Sequence, residues 1–275
     1  MFFIFLVFFV FGLFQPAHAF DVGPERDYEQ MIQEVFQTQL VYPQEAGEFQ
    51  FILQPAFFEG SGRDLLLAPL KVELGLTDHW QLGFGWIAFQ NRKPTVGSTT
   101  WGIGDIEINT KYSILNIGAS DFHMAIGAAI EFPIASVRRD LSDGFIEYTP
   151  QLMMAYDLAN LNNSQIFWES NIDLVQRVRK HRNPVNDEPG AHQININAGF
   201  FIPFWELRFV NEINWSYNEW NNNGRENALY DTPGIVWDPP SSLEIGVGVP
   251  LGLTRDADNI RLIGLLIFEL GGTEW

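Results

Sequence analysis

The chain of 275 residues contains no cysteine, so neither a disulfide framework nor a thiolate metal site is available to it. Basic residues are scarce: 16 lysines and arginines stand against 34 aspartates and glutamates, which gives a net charge of −18. This balance argues against binding to nucleic acid or to an anionic cytoplasmic membrane surface. Long apolar runs are also missing beyond residue 19, so no transmembrane helix is expected there.

The first residues are the exception, because residues 1–14 are almost wholly apolar. They are followed by Gln-Pro-Ala-His-Ala at 15–19, and this order is typical of a secretory signal peptide. We therefore predict a signal peptide over 1–19, cleaved after Ala19. The alternative is an uncleaved membrane anchor, for which the apolar run is short, since a spanning helix needs about twenty residues.

From residue 48 onward, polar and apolar residues alternate along most of the chain. Between Ile106 and Ile114 every second side chain suits hydrocarbon, whereas the residues between them include Glu107 and Lys111. A β-strand sends alternate side chains to opposite faces, so each strand has one apolar and one polar face. We predict about twelve strands, over 48–58, 65–76, 80–89, 102–115, 122–134, 146–158, 166–178, 193–203, 205–217, 231–237, 243–251 and 260–270.

Three features of these strands favour a membrane barrel over a soluble β-sandwich. Many are long enough to cross a bilayer, which takes about nine to eleven residues. The apolar faces of the five strands within 102–203 carry no charge, and a charge there would cost about 2–4 kcal/mol at the bilayer midplane. Short turns and longer loops also alternate along the chain. The sequence therefore predicts an all-β fold, a closed antiparallel transmembrane β-barrel over 48–275, in the outer membrane of a Gram-negative-type cell.

The polar stretch 20–47 precedes the barrel. The spacing of Ile32, Val35 and Phe36 predicts one helix over Tyr28–Leu40. Two interpretations stay open at this point: a periplasmic N-terminal segment, or a plug that folds into the barrel lumen.

The polar strand faces are predicted to line the lumen, where charges tune ion selectivity. The alternative is a network of ion pairs that stiffens or closes the barrel. Acids outnumber bases in this set, which favours water and some preference for cations. The predicted lumen residues are Lys71, Glu73, Asp105, Glu107, Asn109, Lys111, Glu131, Glu147, Glu169, Asp173, Arg177, Glu206, Arg208, Glu212, Arg261 and Glu269.

Aromatic residues fall near both ends of the strands, as in the aromatic girdles of membrane barrels. We expect these to lie at the two lipid interfaces: Trp80, Trp101, Tyr112, Tyr148, Tyr156, Trp205, Trp215, Tyr217 and Trp237. The chain also ends in Trp275, and a terminal aromatic residue is common in proteins inserted by the outer-membrane assembly machinery. The expected partners are therefore that machinery, outer-membrane lipid, lipopolysaccharide and a small solute.

No residue pattern predicts catalysis, a cofactor or a metal. His123 is the one histidine of the mature chain that falls in a predicted strand, and a hydrogen bond in the lumen explains it better than a role as general base. The acidic loop residues Asp140, Asp143, Asp187 and Glu188 could bind calcium, but a solvated acidic loop is the default interpretation.

Three segments resemble the phenol meta-pathway-like family (the MetA-pathway of phenol degradation family) of outer-membrane transporters. They are Glu73-Leu-Gly-Leu-Thr-Asp-His-Trp-Gln-Leu-Gly83, Gly102-Ile-Gly-Asp-Ile-Glu-Ile-Asn-Thr-Lys-Tyr112, and Pro233-Gly-Ile-Val followed by Leu243-Glu-Ile-Gly-Val-Gly-Val-Pro250. The resemblance extends over most of 41–270 and consists mainly of turn and glycine patterns. It implies an outer-membrane channel and, by the family's name, uptake of aromatic compounds.

The sequence therefore predicts a channel for passive passage of small, aromatic or otherwise apolar molecules, without enzymatic activity. The alternative is a structural or adhesive barrel with a closed lumen that acts through its surface loops. A barrel enzyme that modifies lipids is the third hypothesis.

Overall fold

The structure is a computed structural model that describes residues 34–59, 63–94, 98–178, 192–218, 226–239 and 242–271. The predicted signal peptide, residues 20–33, Asp187, Glu188 and Trp275 lie outside these ranges. Within them, no helix is long and apolar enough to cross a membrane.

The described chain folds into one closed antiparallel β-barrel of 12 strands, three of which are interrupted, so that the sheet has 15 segments. The first strand pairs with both the second and the last, which closes the barrel. The strands are β1 (Phe49–Leu53 and Ala56–Glu59), β2 (Arg63–Thr77), β3 (Trp80–Pro94), β4 (Thr100–Gly102 and Ile106–Ile114), β5 (Phe122–Phe132), β6 (Phe145–Leu158), β7 (Ser164–Arg177), β8 (Gln193–Phe204), β9 (Leu207–Asn218), β10 (Glu226–Trp237), β11 (Leu243–Gly248 and Leu251–Gly252) and β12 (Ile260–Leu270). Short 3-10 turns lie at Ile117–Ala119 and Val137–Arg139. The predicted fold class is confirmed.

The two faces of each strand differ as the alternation predicts. On β4 the outward side chains Ile108 and Tyr112 are 50% and 48% exposed, whereas the inward Asn109 and Lys111 are 7% and 1% exposed. A closed barrel satisfies all of its backbone groups, and its apolar exterior suits lipid. This fold and exterior place the protein in the outer membrane.

The two ends of the barrel differ in their connections. Tight turns such as Asp78–His79 and Trp205–Glu206 join strands at one end, which we call the turn end. The opposite end, the loop end, carries longer connections such as 133–144. In outer-membrane barrels short turns face the periplasm.

Several local predictions were wrong. The predicted strand 80–89 extends to Pro94, and the predicted strands 48–58 and 243–251 are each interrupted. Residues 34–40 form a turn with a bridge between Glu34 and Gln39 instead of a helix. Strand β4 is broken at 103–105, where the amide of Gly104 donates to Ile87 O at 2.8 Å. Strand β10 starts at Glu226 instead of residue 231, because its first residues extend the ladder with β9.

The barrel interior is not uniformly polar. Parts of strands β10, β11, β12 and β1 present apolar side chains or glycines to the lumen, and we call these parts the apolar wall. Its buried members include Ile52, Val236, Ile263, Leu265 and Ile267. They form one hydrophobic cluster with Val35, Phe36 and Leu40, which precede the first strand.

Candidate functional site in the barrel lumen

Residues 34–48, which we call the lumen segment, lie inside the barrel. Val35, Leu40 and Val41 are at most 1% exposed, although they belong to no barrel strand. Side chains of the segment contact inward residues of strands on all sides, as described below. The segment therefore lies in the lumen between the apolar wall and polar inward residues of β2, β3, β4, β6, β7 and β9.

Lys111 and Ser113 of β4 bind the backbone of the lumen segment. The ammonium of Lys111 donates to Leu40 O at 2.9 Å and to Tyr42 O at 2.7 Å. The hydroxyl of Ser113 donates to Val41 O at 2.5 Å. A buried ammonium needs such acceptors, because an unpaired buried charge is very costly. Lys111 is thus an anchor for the segment in this structure.

A buried hydrogen-bond network holds Tyr42 at the turn end. Its hydroxyl donates to Asp157 Oδ2 at 2.6 Å, and Gln165 Nε2 donates to Asp157 Oδ1 at 2.7 Å. His123 Nε2 lies 3.0 Å from Asp157 Oδ2, while its Nδ1 accepts the backbone N–H of Asn116 at 3.0 Å. Because Nδ1 accepts, the tautomer with the proton on Nε2 fits these contacts. His123 is fully buried in this network, so its geometry does not suit a general base.

Strands β2 and β3 hold the next residues of the segment. The backbone N–H of Gln44 donates to Gln81 Oε1 at 3.1 Å, and its side-chain amide donates to Glu73 Oε2 at 3.3 Å. Gly75 allows the backbone of Glu45 to lie against β2, since a Cβ on this glycine would overlap Glu45 O. The segment that resembles the transporter family, Glu73–Gly83, therefore contributes contacts to the lumen segment.

The turn at 34–39 precedes the residues that Lys111 and Tyr42 anchor, and we call it the flap. It is closed by a hydrogen bond from Val35 N to Thr38 O at 3.2 Å. Gln37 N donates to Glu212 Oε2 at 3.1 Å, and its side-chain amide lies 2.9 Å from Asn214 Oδ1. Two further contacts join the flap to the barrel. Glu34 forms an ion pair with Lys71 of β2, and the backbone N–H of Gln39 donates to Glu169 Oε2 of β7 at 3.0 Å.

The ring of Phe36 fits into a cradle of three glycines on the apolar wall, Gly234 on β10 with Gly246 and Gly248 on β11. A Cβ on Gly234 would overlap the ring, and Cβ atoms on Gly248 and Gly246 would lie 2.5 and 3.2 Å from it. Gly234 and Gly248 are direct partners across the two strands. Only glycine therefore leaves room for a ring at the first two positions, and Phe36 is 2% exposed as a result.

A cavity of about 190 Å³ lies on another side of the flap. At about 30 Å³ for each water, it has room for roughly six water molecules. The flap, Gln54 in the interruption of β1, and inward residues of β2, β4, β6 and β7 line it: Glu34–Gln39, Gln54, Lys71, Glu107, Asn109, Gln151 and Glu169.

Four carboxylates on consecutive strands form an acid row toward the loop end: Glu107, Glu131, Glu147 and Asp173. Glu131 lies directly opposite both Glu107 and Glu147 in the ladder. Asp173 accepts a hydrogen bond from Asn195 at 2.7 Å. Like charges in direct opposition destabilise a sheet. The row therefore favours water and cations beside this wall.

Most of the predicted lumen residues lie on inward strand faces. These are Lys71, Glu73, Glu107, Asn109, Lys111, Glu131, Glu147, Glu169, Asp173, Arg177, Arg208, Glu212, Arg261 and Glu269. Asp105 is buried in the break of β4, where its Oδ1 accepts Ala135 N at 2.9 Å. The prediction for Glu206 was wrong: it lies exposed in the β8–β9 turn and accepts a hydrogen bond from Trp237 Nε1 at 3.1 Å. Strand β9 begins at Leu207, so Glu206 precedes the strand and does not lie on its inward face.

The predicted interface aromatics lie on outward faces or in turns. Trp80, Tyr112, Tyr156, Trp205 and Trp237 are near the turn end, and Trp101, Tyr148, Trp215 and Tyr217 near the loop end. Trp205 is 91% exposed in its turn, and the rings of Trp215 and Tyr217 stack at 5.7 Å. Their placement at lipid headgroups stays a prediction.

In the described ranges no three His, Asp or Glu side chains group to hold an ion. Asp143 Oδ1 accepts the backbone N–H of Phe145, the first residue of β6, at 3.0 Å. Asp140 is paired with Arg92 at 3.7 Å.

Comparison with known proteins identifies the fold class. No protein-family model matches the chain, and no curated protein does. An outer-membrane channel from Pseudomonas putida has a TM-score of 0.67 at 9% identity, covering 84% of this chain and 98% of the channel. The NanC porin has a TM-score of 0.54 at 11% identity, covering 79% and 98%, and the KdgM porin 0.51 at 10%, covering 81% and 99%. The chain therefore has the fold of outer-membrane channels and porins.

Proposed function

We propose that the protein is an outer-membrane channel for passive passage of small molecules that carry an aromatic or otherwise apolar group. The observation that carries the proposal is the glycine cradle on the apolar wall, which accepts a planar aromatic ring inside the lumen. The family resemblance of the same glycine-rich hairpin implies a related solute class. The acid row on the opposite wall supports a wet path beside it, with a preference for cations.

Three further proposals concern how the protein reaches the outer membrane and what surrounds it there. We infer that the signal peptide 1–19 is removed, that the outer-membrane assembly machinery inserts the barrel, and that lipid and lipopolysaccharide surround it. The intact mass of the protein isolated from outer membranes tests the first, with a chain that starts at Phe20 as the expected result.

A closed-lumen structural barrel is the second candidate, and the burial of the lumen segment favours it. Single-channel recording in planar bilayers separates the two, because a channel gives discrete current steps and a closed barrel gives none. Absence of current from both the wild type and Phe36→Ala would reject the channel.

The solute class needs a separate experiment. Uptake of a labelled monocyclic aromatic compound is compared in cells with and without the gene, with a sugar of similar mass as the control solute. The proposal predicts that the gene speeds uptake of the aromatic compound and leaves uptake of the sugar unchanged. Equal rates with and without the gene would contradict that solute class.

A further inference from the structure

We propose that the flap, residues 34–39, is autoinhibitory: Phe36 occupies the cradle that the ring of a solute enters, and the flap withdraws to admit it. The inference rests on the proposed function, because it takes the glycine cradle as the place where the solute makes contact. It adds to that function a mechanism in which part of the chain competes with the solute.

The lumen segment is divided by chain continuity into a base, which runs directly into β1, and the flap at its other end. The wall binds the base, residues 40–48, through its backbone: Lys111 and Ser113 hold three successive carbonyls, and Gly47 N donates to Gly75 O at 2.9 Å. These bonds continue directly into β1. The base therefore stays with the barrel when the flap moves.

The barrel also binds the backbone of the flap. Gln54 Nε2 donates to Phe36 O at 2.7 Å, and Asn197 Nδ2 donates to Gln37 O at 3.2 Å. These bonds must break when the flap withdraws.

The flap has its own internal closure and can move as one unit. Glu34 and Gln39 bridge its ends, and the bond from Val35 N to Thr38 O closes the turn between them. One side of the flap is seated in the cradle through Phe36, and another side borders the cavity of about 190 Å³. The cavity therefore offers free volume beside the flap for the ring when it leaves the cradle.

The cradle itself defines what competes with Phe36. Three glycines remove the side chains that would fill this part of the apolar wall, and the neighbouring Val236 and Leu265 leave an apolar, flat recess. The side chain of Phe36 is chemically toluene, so toluene is the matched probe. Methylcyclohexane is the control, since it has a similar apolar area but no planar ring.

The test uses the absence of cysteine from the native chain to lock the flap. In the variant Gln37→Cys with Asn214→Cys, a short bis-methanethiosulfonate reagent joins the flap to β9 through two disulfides, which a thiol reductant cleaves; the two native side chains lie 2.9 Å apart. The control is Asn171→Cys with Asn195→Cys, two wall residues whose side chains lie 2.7 Å apart and do not touch the flap. Open fraction is measured in planar bilayers before cross-linking, after it and after reduction.

We expect cross-linking to lower the open fraction at least about tenfold in the flap variant, with recovery on reduction, and to leave the control pair unchanged. Toluene should raise the open fraction of the wild type, and methylcyclohexane should not. Phe36→Ala should open without toluene. Loss of the buried ring should shift the equilibrium between seated and withdrawn flap toward the withdrawn state by a factor of at least about one hundred.

Different failures identify different errors. If the locked flap conducts as well as the unlocked one, or Phe36→Ala opens no more than the wild type, the flap inference is overturned while the channel remains. If Phe36→Ala is open but toluene has no effect on the wild type, solute competition is overturned. Silence of every variant rejects the channel itself.

Discussion

Tyr42→Phe is the sharpest single test of where the lumen segment lies. The substitution removes only the hydroxyl that donates to Asp157 Oδ2 at 2.6 Å, and it keeps the ring beside His123. Tyr42 and Asp157 are each 5% exposed, so water cannot easily replace the lost donor. A hydrogen bond to a charged group contributes about 1.5–3 kcal/mol, and we expect the free energy of unfolding to fall by that amount.

The assay is equilibrium unfolding in guanidinium chloride with the barrel in lipid vesicles, followed by tryptophan fluorescence. A lower midpoint with an unchanged slope reports a loss of stability. Tyr148→Phe is the matched control, because the Tyr148 hydroxyl makes an exposed contact of 3.4 Å with Gln176 Oε1. Its loss should lower the free energy of unfolding by less than about 0.5 kcal/mol. If the two variants lose equal stability, Tyr42 is not seated in a buried network and the position of the lumen segment is wrong.

Three further predictions concern the cradle, the acid row and the lipid face. Gly248→Ala should cost about 1–3 kcal/mol by overpacking against Phe36, more than Gly85→Ala, whose Cβ would meet its nearest neighbour at 3.4 Å. In the same unfolding assay this added cost should disappear when Phe36 is already alanine, and an equal cost in both backgrounds would contradict the contact between Gly248 and Phe36. Replacing the carboxylates of the acid row by amides should shift the reversal potential in a salt gradient toward zero, whereas Glu206→Gln in the exposed turn should not; a persistent cation preference would contradict the role of the row. Ile108→Arg should destabilise the barrel by about 2–4 kcal/mol if this 50%-exposed side chain faces the bilayer core, and an unchanged midpoint would place it elsewhere.

The strands were predictable from sequence because alternation is a local signal that the membrane makes strict. Ile106–Ile114 shows it fully, since each second residue must suit lipid and the others must suit the lumen. The interruptions were harder to predict, because the break at 103–105 depends on contacts with Ile87 and with the following loop. Such contacts between strands leave no periodic trace in a single sequence.

The position of the lumen segment could not be predicted with the same methods. The spacing of Val35 and Phe36 satisfies a helix pattern, but the ring of Phe36 is buried by β10 and β11, which lie 190 or more residues further along the chain. One signal did exist, because Ile260–Leu270 is apolar at nearly every position. The outward face of such a strand suits lipid, and its apolar inward face needs an apolar partner inside the barrel. That pattern, with Gly246 and Gly248 on the neighbouring inward face, indicates that something apolar fills the lumen there.

The single measurement that tests the account most directly is a planar-bilayer recording of the wild type beside Phe36→Ala. The account predicts discrete, cation-preferring current steps from both proteins, with a much larger open fraction when the ring is removed from the glycine cradle. Silent membranes with both proteins would contradict the channel, and equal open fractions would contradict the control of the lumen by its own N-terminal segment.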